Sequence, residues 1–208
     1  TVTPDNAAPS GGSISYPDGY TNGTGVTVAF NIGTDSLSGI ASHAIERAVQ
    51  PYVAGVCTGP VTFVPLASNP AGATFTDTPI PNGTCLSYRL VVTDNVGNTA
   101  TLTTSDVVEV DRTAPSGLID ALPPSPMSGG VTLTGISSDG ESGISHVELR
   151  VVGAPAPFDE ICLSPASPTA WSCAWNTVNV ADGSWDLELT VYDRAGNTFT
   201  YIRSVLVD

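Results

Sequence analysis

The loops Asp94-Asn95-Val96-Gly97-Asn98 and Asp193-Arg194-Ala195-Gly196-Asn197 each crowd carboxylate and amide oxygens together, the donors that a hard cation such as calcium takes. The same residues serve a turn without any metal, because Asp caps turn amides, Gly takes positive φ and Asn tolerates it. Turn chemistry is the stronger reading of both loops. Asp35, Asp139 and Glu141 lie in loops between apolar runs, and Asp111 lies in a linker ahead of Arg112-Thr113-Ala114-Pro115. Calcium held by Asp35, Asp111, Asp139 and Glu141 would stiffen a junction between modules; the competing reading is a proline-stiffened linker with solvated acids. No other cofactor is expected.

Trp171, Cys173 and Trp175 alternate, so on a strand they share one face. Trp171 is the candidate carbohydrate platform, since an exposed indole stacks on a sugar ring, whereas Trp175 is expected in a core. His43 and His146 recur at matching places in the two halves, and neither stands in a serine or cysteine nucleophile motif. The sequence holds no GxSxG, no HExxH and no paired-carboxylate pattern, so no enzymatic activity is expected. Asn22-Gly23-Thr24 and Asn82-Gly83-Thr84 fit the N-glycosylation acceptor, but both are also Asn-Gly turns, which need no glycan.

Six basic residues, all Arg, face 20 acidic ones, and the resulting formal charge of -14 repels phosphate backbones and argues against a nucleic-acid partner. The absence of Lys removes P-loop phosphate binding, Schiff-base chemistry and Lys-Asn isopeptide cross-links. The 4 Cys include no CxxC and lie far from both His in sequence, which argues against a metal site and for disulfides formed in an oxidising compartment. The expected pairing is one bridge per module, Cys57 with Cys85 and Cys162 with Cys173. No apolar run is long enough to insert in a membrane, and no leader is visible, so a mature or excised extracellular segment is expected.

These residues are positioned by a chain that repeats itself. "GVTVAFNIGTDSLSGIASHAIERAV" (25–49) aligns with "GVTLTGISSDGESGISHVELRVV" (130–152), and "VVTDNVGNTATLTTSDVVEVDRTAP" (91–115) with "TVYDRAGNTFTYIRSVLVD" (190–208). The N-terminal "TVTPDNAAPSGG" is a worn copy of the "VDRTAPSG" handover. The 38 Pro and Gly residues and the lack of apolar 3.6-residue spacing leave little room for helix. Val26, Val28, Phe30 and Ile32 alternate with other residues, as do Val147, Leu149 and Val151 and then Leu187, Leu189 and Val191, the period of half-buried strands. The boundaries predicted are residues 1–111 and 112–208.

The quoted repeats, with "APSGGSISYPDGY", "CLSYRLVVTDNVGN" and "CAWNTVNVADGSWDLELTVYDRAGN", resemble the bacterial immunoglobulin-like and fibronectin-III-like tandem repeats of large secreted or surface proteins of the adhesin type. The resemblance implies an all-β chain of two immunoglobulin-like antiparallel β-sandwiches, arranged end to end. It further implies a non-enzymatic, extracellular part in a surface stalk, adhesin or filament, with neighbouring repeats or subunits of the same protein, or a surface glycan or protein, as partners. Fold alone does not fix such a role. The alternatives are a carbohydrate-binding accessory module of a secreted hydrolase and a self-assembling filament subunit. Tyr88 is expected to be buried, with its hydroxyl bonded to backbone near a strand corner.

Overall fold

A computed structural model describes residues 4–165 and 170–208. The chain divides into two units, Thr1–Asp111 and Arg112–Asp208.

Among its described residues unit 1 has ten strands: β1 Ser13–Ser15, β2 Gly19–Thr21, β3 Val26–Asn31, β4 Ile40–Val53, β5 Val56–Cys57, β6 Phe63–Ser68, β7 Thr74–Asp77, β8 Thr84–Asp94, β9 Thr99–Thr103 and β10 Val108–Val110. One sheet runs β1-β3-β7; the other runs β2-β10-β8-β4-β5, with β6 also beside β4 and β9 beside β8. The alternation seen in sequence becomes the inner faces: Val26, Val28 and Phe30 of β3 meet Leu86, Leu90 and Val92 of β8 and Ile45 of β4 in one core. Each such aliphatic side chain, once fully buried, contributes roughly 1.5–3 kcal/mol. All pairings in the larger sheet are antiparallel except β2 against β10, which is parallel.

Among its described residues unit 2 has seven: β11 Ser116–Ile119, β12 Gly130–Ser138, β13 Ile144–Val151, β14 Glu160–Pro165, β15 Trp171–Asn176, β16 Gly183–Asp193 and β17 Thr198–Val207. They form the sheets β11-β12-β15 and β14-β13-β16-β17, followed in the chain order of β15 by a single 3-10 turn at Thr177–Asn179. Leu187, Leu189 and Val191 of β16 pair with β13 and close the core over Leu133, Trp171 and Trp175. Each unit is an all-β sandwich of two sheets closed over its own core.

Cys57 joins Cys85 and Cys162 joins Cys173, each with 5.8 Å between Cα atoms, so each unit carries its own bridge. In the chain-entropy account, loops of these lengths contribute about 3–4 kcal/mol and about 3 kcal/mol.

Candidate functional site

Most polar groups with chemical potential are occupied by structural work. His43 lies on β4, where its Nε2 is 3.1 Å from the Pro70 carbonyl oxygen and its amide donates to Asn69 Oδ1 at 2.8 Å. His146 stacks on Tyr192 with ring centroids 4.3 Å apart, and its Nδ1 is 3.1 Å from Ser145 Oγ. Inside unit 1, Arg47 Nη1 donates to both oxygens of Asp77 at 3.0 and 2.8 Å, and Tyr88 adds its hydroxyl to Oδ2 at 2.8 Å. Tyr88 is buried as expected, but its hydroxyl takes a carboxylate in place of backbone. The backbone bond is made by Tyr16, whose hydroxyl donates to Asp106 O at 2.7 Å while its ring packs edge-on against Tyr88 at 5.0 Å.

The sugar-platform reading of Trp171 is overturned. Trp171 is 3% exposed and packs in the unit 2 core with Trp175. Gly135 on the facing strand explains the position: a Cβ there would overlap the Trp171 ring, so the glycine leaves the slot that the indole fills. Alternation put Trp171 and Trp175 on one face correctly, and that face is the inner one.

Both Asp-x-x-Gly-Asn loops are hairpin turns. Asp94 N donates to Asn98 O at 3.0 Å and Asp193 N to Asn197 O at 3.1 Å, with Gly97 and Gly196 at φ 97° and 91°. Asp94 Oδ1 accepts from the amides of Val96 and Asn98, and Oδ2 from the Asn98 side chain. Burial pushes the Asp94 carboxyl up, and the bonds from the Asn98 side chain, then the Asn98, Val96 and Gly97 amides, outweigh it and hold it below the usual value. Asp35 caps its own loop through Oδ1, which accepts from the amides of Leu37, Ser38 and Gly39. The Gly39 bond is the largest influence on its carboxyl, which is also held low.

The fold brings Asp35 to Asp94 and to Asp5, with one carboxylate oxygen from each within 4.8 Å of the others. Asp5 Oδ2 is buried without a hydrogen-bond partner. Asp5 was not singled out by spacing, although the signal was present: it holds in "PDNAAPSG" the place that Asp111 holds in "VDRTAPSG". Of the other expected metal residues, Asp139 caps its own loop, with Oδ2 accepting from Glu141 N at 3.0 Å and Gly143 N at 2.7 Å. Asp111 is fully buried, and its amide donates to Thr21 O at 3.0 Å.

No protein-family model and no curated protein sequence matches the chain. Solved structures do. The chain is similar to the fibronectin(III)-like modules of Clostridium thermocellum CbhA, at 16% identity and TM-score 0.47, over 94% of each chain. It is also similar to a tetra-tandem repeat from the extending region of a large adhesion protein, at 14% identity and TM-score 0.42, covering 95% of this chain and 49% of that one. A third is a 1.5-MDa bacterial ice-binding adhesin, at 17% identity and TM-score 0.40, covering 96% of this chain and 66% of that one.

Proposed function

We propose that this chain is a non-enzymatic extracellular module pair, part of a surface stalk, adhesin or filament, whose partners are neighbouring repeats or subunits of the same protein. The observation that carries this reading is repetition of self-sufficient units. Each sandwich has its own hydrophobic core and its own disulfide, and the residue landmarks recur in the same order. The disulfides fit an oxidising, extracellular setting. The histidines and the buried Arg47-Asp77-Tyr88 set are engaged in holding strands, which supports a structural task. With Trp171 buried, the sugar-binding accessory reading loses the platform it needed.

Calcium belongs to this proposal at Asp5, Asp35 and Asp94, where three carboxylates converge in a chain already at formal charge -14. The repeat places Asp111, Asp139 and Asp193 in the corresponding sequence positions, with Glu141 two residues after Asp139. A hard cation relieves that repulsion and satisfies the free Asp5 oxygen, with affinity expected in the range of extracellular modules, about 0.1–1 mM.

Two measurements test the proposal separately. Retention on insoluble polysaccharides and on a glycan array distinguishes a structural module from a hydrolase accessory module: no retention is expected on the insoluble polysaccharides, and tight retention there overturns the structural reading. Thermal melting with millimolar calcium and with a chelator tests the cation. The unit 1 midpoint should rise with calcium and should cease to respond in Asp5→Asn and Asp94→Asn; an unresponsive wild type removes calcium and leaves the rest standing.

A further inference from the structure

The two repeats end differently. Asn98 to Asp111 in unit 1 is two residues longer than Asn197 to Asp208 in unit 2. The additional residues break the last strand of unit 1 into β9 and β10, and β10 is then covered by β2. In unit 2 the same stretch runs unbroken as β17, 10 residues long, at the outer edge of its sheet.

The hydrogen-bond pattern identifies which backbone groups of β17 are left over. Met127 N donates to Leu206 O at 2.8 Å and Asp208 N donates to Met127 O at 3.0 Å, so Leu206 and Asp208 turn their backbone groups away from β16. With the two-residue period of a strand, Ser204, Ile202, Thr200 and Thr198 turn theirs the same way. Among the described residues, no backbone hydrogen bond reaches these four on that side.

Several other edges carry guards, while β15 and β9, also without proline or charge, span only 6 and 5 residues. β6 contains Pro65 and meets β4 across a register shift at Ile45/Glu46. β14 contains Glu160 and Pro165 and also meets its neighbour across a register shift. β1 and β11 span only 3 and 4 residues. β17 has no proline, lysine or acid. Its one charge, Arg203, is turned onto the carbonyls of Ile119 and Asp120 at 3.0 and 2.7 Å. Ile202 is 55% exposed beside Thr198, Thr200 and Ser204. Long edges without proline or acid are open to pairing with other strands.

We infer that the free edge of β17 pairs antiparallel with β17 of a second copy of this chain. The occupant follows from charge and register. A two-fold axis at Tyr201 sets Thr198 opposite Ser204 and Thr200 opposite Ile202, so the groups that face outward bond in pairs and no like charges meet on the joined strands. Asp186 and Glu188 sit on β16, opposite Ser204 and Ile202 of the seam. Three strand spacings, about 14 Å, then separate the two copies of β16, beyond the screening length of about 8 Å at physiological salt. The residual opposition is the overall charge of -14 on each copy, so association strengthens with salt. This goes beyond the module reading, which needs no lateral contact and survives if the inference fails.

Sedimentation equilibrium of the full chain at low and high salt tests it, together with amide hydrogen exchange of Thr198, Thr200, Ile202 and Ser204 at low and high protein concentration. The expected result is a dimer tightened by salt, with those four amides protected as concentration rises. Ile202→Lys, at an exposed side chain, and Thr200→Pro, which removes an outward donor, should each weaken it about tenfold or more. Ile136→Lys, 49% exposed on β12 in the other sheet, should leave it unchanged. If Thr200→Pro does not fold, Ile202→Lys decides alone. A chain that stays monomeric at high salt with rapid exchange at the four amides overturns the inference, as does a dimer indifferent to Ile202→Lys.

Discussion

The hydroxyl of Tyr88 donates at 2.8 Å to the Asp77 oxygen that Arg47 also holds at 2.8 Å, so one carboxylate ties β4, β7 and β8 together across the unit 1 core. Asp77 is the dependent member of the set: its side chain is 5% exposed against 22% for Arg47. Arg47→Met should strand that charge and cost about 2–4 kcal/mol, below the full penalty of a sealed pair because the guanidinium reaches solvent. Adding Asp77→Asn should recover a large part of the loss. Denaturant unfolding of the single and double variants checks the order.

Alkali should weaken unit 1 in a defined window. Burial, then the bond to Asp77 and its charge, push the Tyr88 hydroxyl far above its ordinary value of about 10. The folded state therefore keeps a proton that the unfolded state releases, and stability falls as pH rises above about 10. Tyr52 is shifted the same way, first by burial and then by Tyr20. Tyr88→Phe should flatten the decline by about one proton's worth in a plot of unfolding free energy against pH. An unchanged slope would show that Tyr88 ionises freely in the fold.

Gly135 and Trp171 make a matched pair on facing strands. A methyl group at 135 would overlap the Leu118 carbonyl oxygen as well as the indole, and the carbonyl belongs to a paired strand that cannot swing aside. Gly135→Ala should cost unit 2 about 3 kcal/mol or more and shift tryptophan fluorescence to the red at lower denaturant, with unit 1 unaffected.

Strands were legible because alternation is a local signal: β3, β13 and β16 bury the apolar residues whose spacing announced them. Direction was not. Trp171 and Trp175 lie on one face by spacing alone, yet whether that face is core or surface depends on what stands opposite, and the deciding residue, Gly135, is 36 positions away from Trp171. The Arg47-Asp77-Tyr88 set was hidden for a similar reason, since its members are separated by 30 and 11 residues and meet only through sheet packing. The gathering of Asp5 with Asp35 and Asp94 has the same origin, although the handover repeat carried a trace of it.

The parallel pairing of β2 with β10 has a mechanical consequence. Gly19 N bonds Val107 O at 2.9 Å and Asp111 N bonds Thr21 O at 3.0 Å, at either end of a three-pair register. Tension that draws β2 toward the N-terminus and β10 toward the C-terminus loads these bonds side by side, in shear, so they must give way together. Among its described residues, unit 2 has only the parallel bridge of Met127 to Val207 at the corresponding place. Stretched in single-molecule force spectroscopy, the chain should yield in two steps, unit 2 at the lower force and unit 1 at the higher, so that the C-terminal unit lengthens first and spares its neighbour.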